Sequence, residues 1–118
     1  MKAEAFLPLT ESTYLILLSL VHPMHGYGIM QNVRDMTGGN VIIGPGTLYG
    51  ALSTLQSRKL IMPVDDGLST RGDRGRKAYA LTVLGLEVVS QEQRRLRCLA
   101  ELGAQQLNAL IGDGRQPR

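Results

Sequence analysis

From Gly44 to Leu55 the chain reads GPGTLYGALSTL, in which small or hydroxylated residues are interleaved with leucines. Leu48, Leu52 and Leu55 stand at i, i+4 and i+7, the spacing of one buried stripe on a helix that Pro45 can start. The opposite face then carries Gly46, Gly50, Ser53, Thr54 and Ser57, with Thr47 and Tyr49 on its flanks. Its hydroxyls can donate and accept hydrogen bonds, and no carboxylate there repels an anion. Glycine inside a helix costs about 1 kcal/mol relative to alanine, so Gly50 in the middle of this face points to something that approaches the backbone closely. A sugar-phosphate ridge beside a nucleic-acid groove fits such a surface. A surface helix that only meets water would show the same pattern, and a second feature is needed to separate the two readings.

That feature is charge. Between Gly67 and Leu81 the charged residues are Arg71, Asp73, Arg74, Arg76 and Lys77, a local excess of +3 equal to the net charge of the whole 118-residue chain. The segment from Asp65 to Lys77 is rich in Gly, Asp, Ser, Thr and Arg, and short apolar runs flank it at Leu60 to Val64 and Ala78 to Leu81. This predicts a β-hairpin with a long basic tip, suited to phosphate contacts or to insertion into a minor groove. No Arg, Asn or Gln lies between Gly46 and Leu55 to read guanine or adenine in bidentate fashion. Recognition would therefore rest on Tyr49, the hydroxyls, thymine methyl groups, the hairpin and duplex shape.

The elements that must position these groups are legible in the flanking sequence. Thr10 can cap a helix carrying Tyr14, Leu15, Leu17, Leu18 and Val21, which Pro23 stops. A second helix is expected from about Gly26 to Met36, with Ile29 and Val33 inward and Gly38 and Gly39 at its end. Asn40 to Ile43 is then a short link into the helix described above. Three helices followed by a hairpin make a winged helix-turn-helix, in which the second helix of the motif lies in the major groove.

Thr82 can cap a last helix reaching Leu110, along which Val89, Leu96, Leu99, Gly103, Leu107 and Leu110 form an apolar stripe. The stripe is wider than one small domain covers, and a second copy using the same surface would bury it, the alternative being a helix that folds back on its own domain. The expected organisation is a DNA-binding winged domain over residues 1–82, a dimerisation helix over 83–111 and a flexible tail over 112–118. The fold class is mainly α with a small β-hairpin.

Other functions lack their residues. His22 and His25 sit beside a proline turn and not at metal-ligand spacing on a helix, and neither a nucleophile elbow nor a phosphate-binding glycine motif is present. No enzyme activity, metal or cofactor is expected, and His25 reads as a turn or capping residue. Cys98 is the only cysteine, which excludes an internal disulfide. The longest apolar run, Tyr14 to Leu18, is far short of the ~20 residues of a membrane span, and MKAE at the start does not resemble a secretory signal. A cytoplasmic location is expected. A winged domain that senses a ligand or contacts another protein without specific DNA binding is the alternative.

Three motifs in this order also carry a family resemblance: HGYGI at His25 to Ile29, GPGTLY at Gly44 to Tyr49 with Ala51 and Leu52, and YALTVLG at Tyr79 to Gly85. Together they resemble the PadR family of transcriptional regulators over about Leu9 to Gly85. The resemblance implies a winged-helix homodimer on a partly palindromic double-stranded DNA operator, usually as a repressor, with the single C-terminal helix of the smaller members. It implies that Tyr27 contacts phosphate and that Thr47, Tyr49 and the outward positions around them face the groove, although Tyr49 could equally be wedged between helices with only its hydroxyl exposed. The DNA-facing set is then Tyr27, Gly46, Thr47, Tyr49, Gly50, Ser53, Thr54, Arg71, Arg74, Arg76 and Lys77. Some members sense phenolic acids or flat hydrophobic drugs, which leaves room for a small hydrophobic effector; Met24, Met30, Met36, Leu96 and Cys98 could line its pocket, although core packing accounts for them better. Ala78 departs from the aromatic residue frequent at that position, which bears on how the wing packs.

Overall fold

The computed structural model describes residues 2–65 and 77–112. After a 3-10 turn at Ala3–Phe6 come helix α1 (Glu11–Ser19), the two-residue strand β1 (Met24–His25), helix α2 (Gly26–Met36), helix α3 (Pro45–Ser57), strands β2 (Ile61–Val64) and β3 (Ala78–Leu81), and helix α4 (Val83–Gly112). The fold is mainly helical, as the periodicity predicts. The expected hairpin is part of a larger sheet: β1 pairs antiparallel with the free edge of β3, giving the order β1-β3-β2. Two residues are too short for alternation to reveal a strand.

Local chemistry sets the ends of these elements. Thr10 caps α1 by accepting from the Thr13 amide at 3.2 Å. At the end of α2 the Gly39 amide donates to the Arg34 carbonyl and the Gly38 amide to that of Asp35, with Gly38 and Gly39 at φ of 60° and 83°. This is a Schellman turn, which favours glycine because its left-handed residue carries a steric penalty for any β-carbon. α3 ends in the same way, with Leu60 donating to Leu55 and Lys59 to Gln56, but here Lys59 holds the left-handed position at φ 64°.

The core gathers the inward residues of every helix: Ile16 and Leu17 of α1, Ile29 and Val33 of α2, Leu48, Leu52 and Leu55 of α3, with Ile61, Tyr79, Val88 and Val89. Burying a side chain of this size contributes about 1.5–3 kcal/mol. Buried Ser19 joins α1 to α2 by donating to the Leu15 carbonyl and accepting from Asn32 Nδ2, both at 3.0 Å. Thr37 receives the Val41 amide at 3.1 Å and fixes the link that leads into α3.

A second set of contacts seats α4. Thr82 Oγ1 donates to the Lys59 carbonyl at 2.6 Å and accepts from the Gly85 amide at 3.0 Å, while the Thr82 amide donates to the Leu60 carbonyl. Gly85 lies so close to the residue before β2 that an added β-carbon would stand 1.9 Å from the Leu60 carbonyl oxygen. Two turns later Glu92, only 1% exposed, accepts the Leu9 amide at 2.7 Å and is paired with Arg95. The start of α4 is thus tied to both the end of α3 and the N-terminal segment.

Beyond that point α4 leaves the core. Residues 97–109 are all exposed, and the molecule measures 66 × 33 × 22 Å with a radius of gyration of 17.9 Å. A compact chain of this length would have a radius near ~13 Å.

Candidate nucleic-acid interface

The outward face of α3 is built by the burial of its other side. With Leu48, Leu52 and Leu55 in the core, Gly46, Thr47, Tyr49, Gly50, Ser53 and Thr54 all lie exposed on one helix. A β-carbon on Gly46 or Gly50 would meet nothing within 4 Å in the chain, so neither glycine is there to relieve internal crowding. The N-cap residue Gly44 provides no side-chain hydrogen bond. A helix N-terminus of this kind presents amide N–H groups and positive dipole to an anion, here next to Gly46 and Thr47.

Tyr49 combines two roles. Its side chain is half exposed, and its phenolic end lies over Gly26, where a β-carbon would come within 2.7 Å of the hydroxyl oxygen. The ring therefore leans from α3 onto the start of α2, beside Tyr27. Tyr27 is 61% exposed, and its hydroxyl accepts a hydrogen bond from Gln31 Nε2 at 3.3 Å. Tyr49 also approaches Tyr79 on β3: burial first, and the neighbouring Tyr49 second, raise the Tyr79 phenol above its usual pKa. Three elements thus converge at one phenol.

Strand β3 lies in the same region. Ala78 pairs with His25 on one side and Val64 on the other, so exposed Lys77 precedes a strand bonded directly to the entry of α2. Ala78, in place of an aromatic residue, is buried between its neighbours. Arg71, Arg74 and Arg76 fall outside the described residues, as does the tail after Gly112. His25 occupies the N-cap position of α2, but its side chain makes no capping hydrogen bond there, so it is a capping residue by position and not by side-chain chemistry.

The expected dimerisation stripe divides in two. Val89 is 4% exposed and belongs to the chain's own core, so it is not available to a partner. Leu99 and Leu107 are exposed, as is Gly103, and Leu96 and Leu110 are partly so. The methionines and the cysteine that could have lined a pocket do not act together: Met24 and Met30 pack on the core, whereas Met36 and Cys98 are exposed. Among the described residues no group of three or more His, Cys, Asp or Glu could hold a metal ion, and no helix is long and apolar enough to cross a membrane.

Three roles in this arrangement are not among those read from the sequence: Gly26 as the seat of Tyr49, Gly85 as the seat of α4, and Glu92 as the clasp on Leu9. Glu92 alone had a visible signal, because it falls on the same helical face as Gly85, Val88 and Val89.

Residues 15–91 match the Transcriptional regulator PadR-like family, about two thirds of the chain. The chain belongs to that family. The family is one of transcriptional regulators. It is 30% identical over 92 residues to an uncharacterized 37.1 kDa protein in transposon TN4556 of Streptomyces fradiae, and 27% identical over 77 residues to the transcriptional regulator YqjI of Escherichia coli K12. These matches cover 76% and 65% of this PadR-like chain but only 24% and 34% of the two relatives, so the chain spans a quarter to a third of their length. Among solved structures it is similar to a PadR family transcription regulator from Clostridium difficile R20291, at 27% identity and a TM-score of 0.67, covering 81% of this chain and 97% of that one.

Proposed function

We propose that this PadR-like chain binds a partly palindromic double-stranded DNA operator as a homodimer and acts there as a repressor, with α3 in the major groove and the wing on the backbone. The observation that carries this reading is the outward face of α3: exposed Gly46, Thr47, Tyr49, Gly50, Ser53 and Thr54, with space rather than protein beside both glycines. Such a face lets a duplex approach the helix backbone, while hydroxyls and the Tyr49 ring meet base edges and thymine methyl groups. Tyr27, Lys77 and the wing arginines Arg71, Arg74 and Arg76 contact phosphates in this reading, and they supply affinity more than specificity.

Dimerisation follows from the unmatched face of α4. Gly85, Val88, Val89 and Glu92 are buried against the winged unit, and the same helical face continues as Leu96, Leu99, Gly103, Leu107 and Leu110, which are exposed or partly exposed among the described residues. From Leu96 to Leu110 this is roughly 21 Å of helix at 1.5 Å per residue. A twofold partner covers both copies at once and holds two α3 helices about 34 Å apart, one duplex turn. Release of the operator by a small hydrophobic effector completes the reading.

A gel shift with the DNA upstream of the chain's own gene, run at two salt concentrations, tests it. Retardation at nanomolar protein, weaker at the higher salt and lost on a scrambled duplex, is expected. No retardation at either salt, with the protein folded, would favour the ligand-sensing or protein-contact use of the same fold.

A further inference from the structure

The opposite end of α3 carries a different kind of surface. A cleft of about 600 Å³ is lined by Ala5 and Phe6 of the 3-10 turn, Ser57, Arg58 and Lys59 at the end of α3, and Leu84 in the first turn of α4. That volume is in the range of small-molecule sites, about 300–1,000 Å³. Its walls are of two kinds. Phe6, Leu84 and Ala5 provide apolar surface, while the consecutive basic residues Arg58 and Lys59 line the other side together with Ser57, whose hydroxyl donates to the Thr54 carbonyl at 2.9 Å.

Among the described residues, Arg34 pairs with Asp35 and Arg95 with Glu92, and neither Arg58 nor Lys59 takes part in these ion pairs. No carboxylate contributes to the lining. Lys59 is informative in a second way. It occupies the left-handed position of a Schellman turn at φ 64°, a place the chain fills with glycine at the end of α2. A non-glycine residue there costs about 1–2 kcal/mol. A long cation is nevertheless present, at the mouth of an apolar cleft.

We propose that this cleft binds an amphipathic organic anion: one carboxylate held between Arg58 and Lys59, on an apolar body lying against Phe6 and Leu84. A charge-assisted pair of donors fixes the head, and burial of the body supplies the remaining affinity. Such a ligand would touch both α3 and the first turn of α4.

The test is isothermal titration of the full chain with decanoate and, separately, with decylamine, which has the same body and the opposite charge. Decanoate is expected to bind, decylamine at least about tenfold more weakly, and the double variant R58Q with K59N to lose about tenfold in decanoate affinity. Asn is chosen at 59 because it tolerates the left-handed backbone, and R58Q alone, with a smaller loss, serves if the double variant is unstable. Equal binding of both probes would place them on generic apolar surface and overturn the proposal. Unchanged decanoate binding by a folded variant would overturn it too, leaving the cations only a role at the C-terminal carbonyls of α3. With no DNA present, the outcome is independent of whether the chain binds an operator.

Discussion

The phenolic end of Tyr49 on α3 rests on Gly26 at the start of α2, with no room between them for a β-carbon. The two helices of the helix-turn-helix are thereby held together at the surface that faces outward, and the residue that does this is also one of the groove-facing candidates. Gly26→Ala would push the far end of a flexible side chain aside, which costs little in packing. Thermal or denaturant unfolding should change by less than about 1 kcal/mol. Operator affinity measured by fluorescence anisotropy should fall about tenfold, because Tyr49 no longer stands where the duplex needs it.

Gly85 makes the opposite prediction. Its neighbour is the Leu60 carbonyl, part of the backbone, and a β-carbon would stand 1.9 Å from that oxygen. Gly85→Ala must separate α4 from the end of α3 and break the bonds from Thr82 to the Lys59 and Leu60 carbonyls that join them. Chemical denaturation should show a loss of about 3 kcal/mol or more, beyond ordinary overpacking.

Glu92 gives a pH dependence with a definite sign. Its pKa is lowered chiefly by the hydrogen bonds from Arg95, against the opposing effect of burial, with the Leu9 amide adding to the decrease. A carboxyl whose folded pKa is depressed stabilises the fold fully above the ordinary carboxylate value of about 4.3, and that contribution is lost as pH falls through the lower folded value. Glu92→Gln should flatten the acid limb of a stability-versus-pH curve and cost about 1.5–3 kcal/mol at neutral pH.

Most of the architecture can be read from residue spacing, because leucine and valine at helical intervals report burial directly: Ile29, Val33, Leu48, Leu52 and Leu55 all lie inward. The outward residues of α3 follow by subtraction. Contacts made through backbone atoms are not legible in this way. Strand β1 exists because β3 has a free edge near Met24, and the closeness of Gly85 to Leu60 is a property of two segments 25 positions apart. Val89 shows the limit of periodicity, which marks the apolar face of α4 but not the turn at which its burial in the chain's own core ends.

Leu107 is 62% exposed on the distal part of α4, so a charge there leaves the chain's own core untouched. Leu107→Glu should raise the dimer dissociation constant about a hundredfold or more in sedimentation experiments, with the helical content of the winged unit retained. A variant that sediments as wild type would remove the distal stripe from the interface.

The division of labour between α3 and the wing is tested most directly by anisotropy titrations over a range of salt, on an operator and on a scrambled duplex, with Lys77→Ala and Ser53→Ala. Lys77→Ala should weaken binding to both duplexes by a similar factor and flatten the dependence of log K on log salt by about 0.9 for each phosphate that is no longer neutralised. Ser53→Ala should keep that slope and narrow the difference between the two duplexes. Equal losses on both duplexes from both variants, with the same change of slope, would contradict the placement of α3 in the groove.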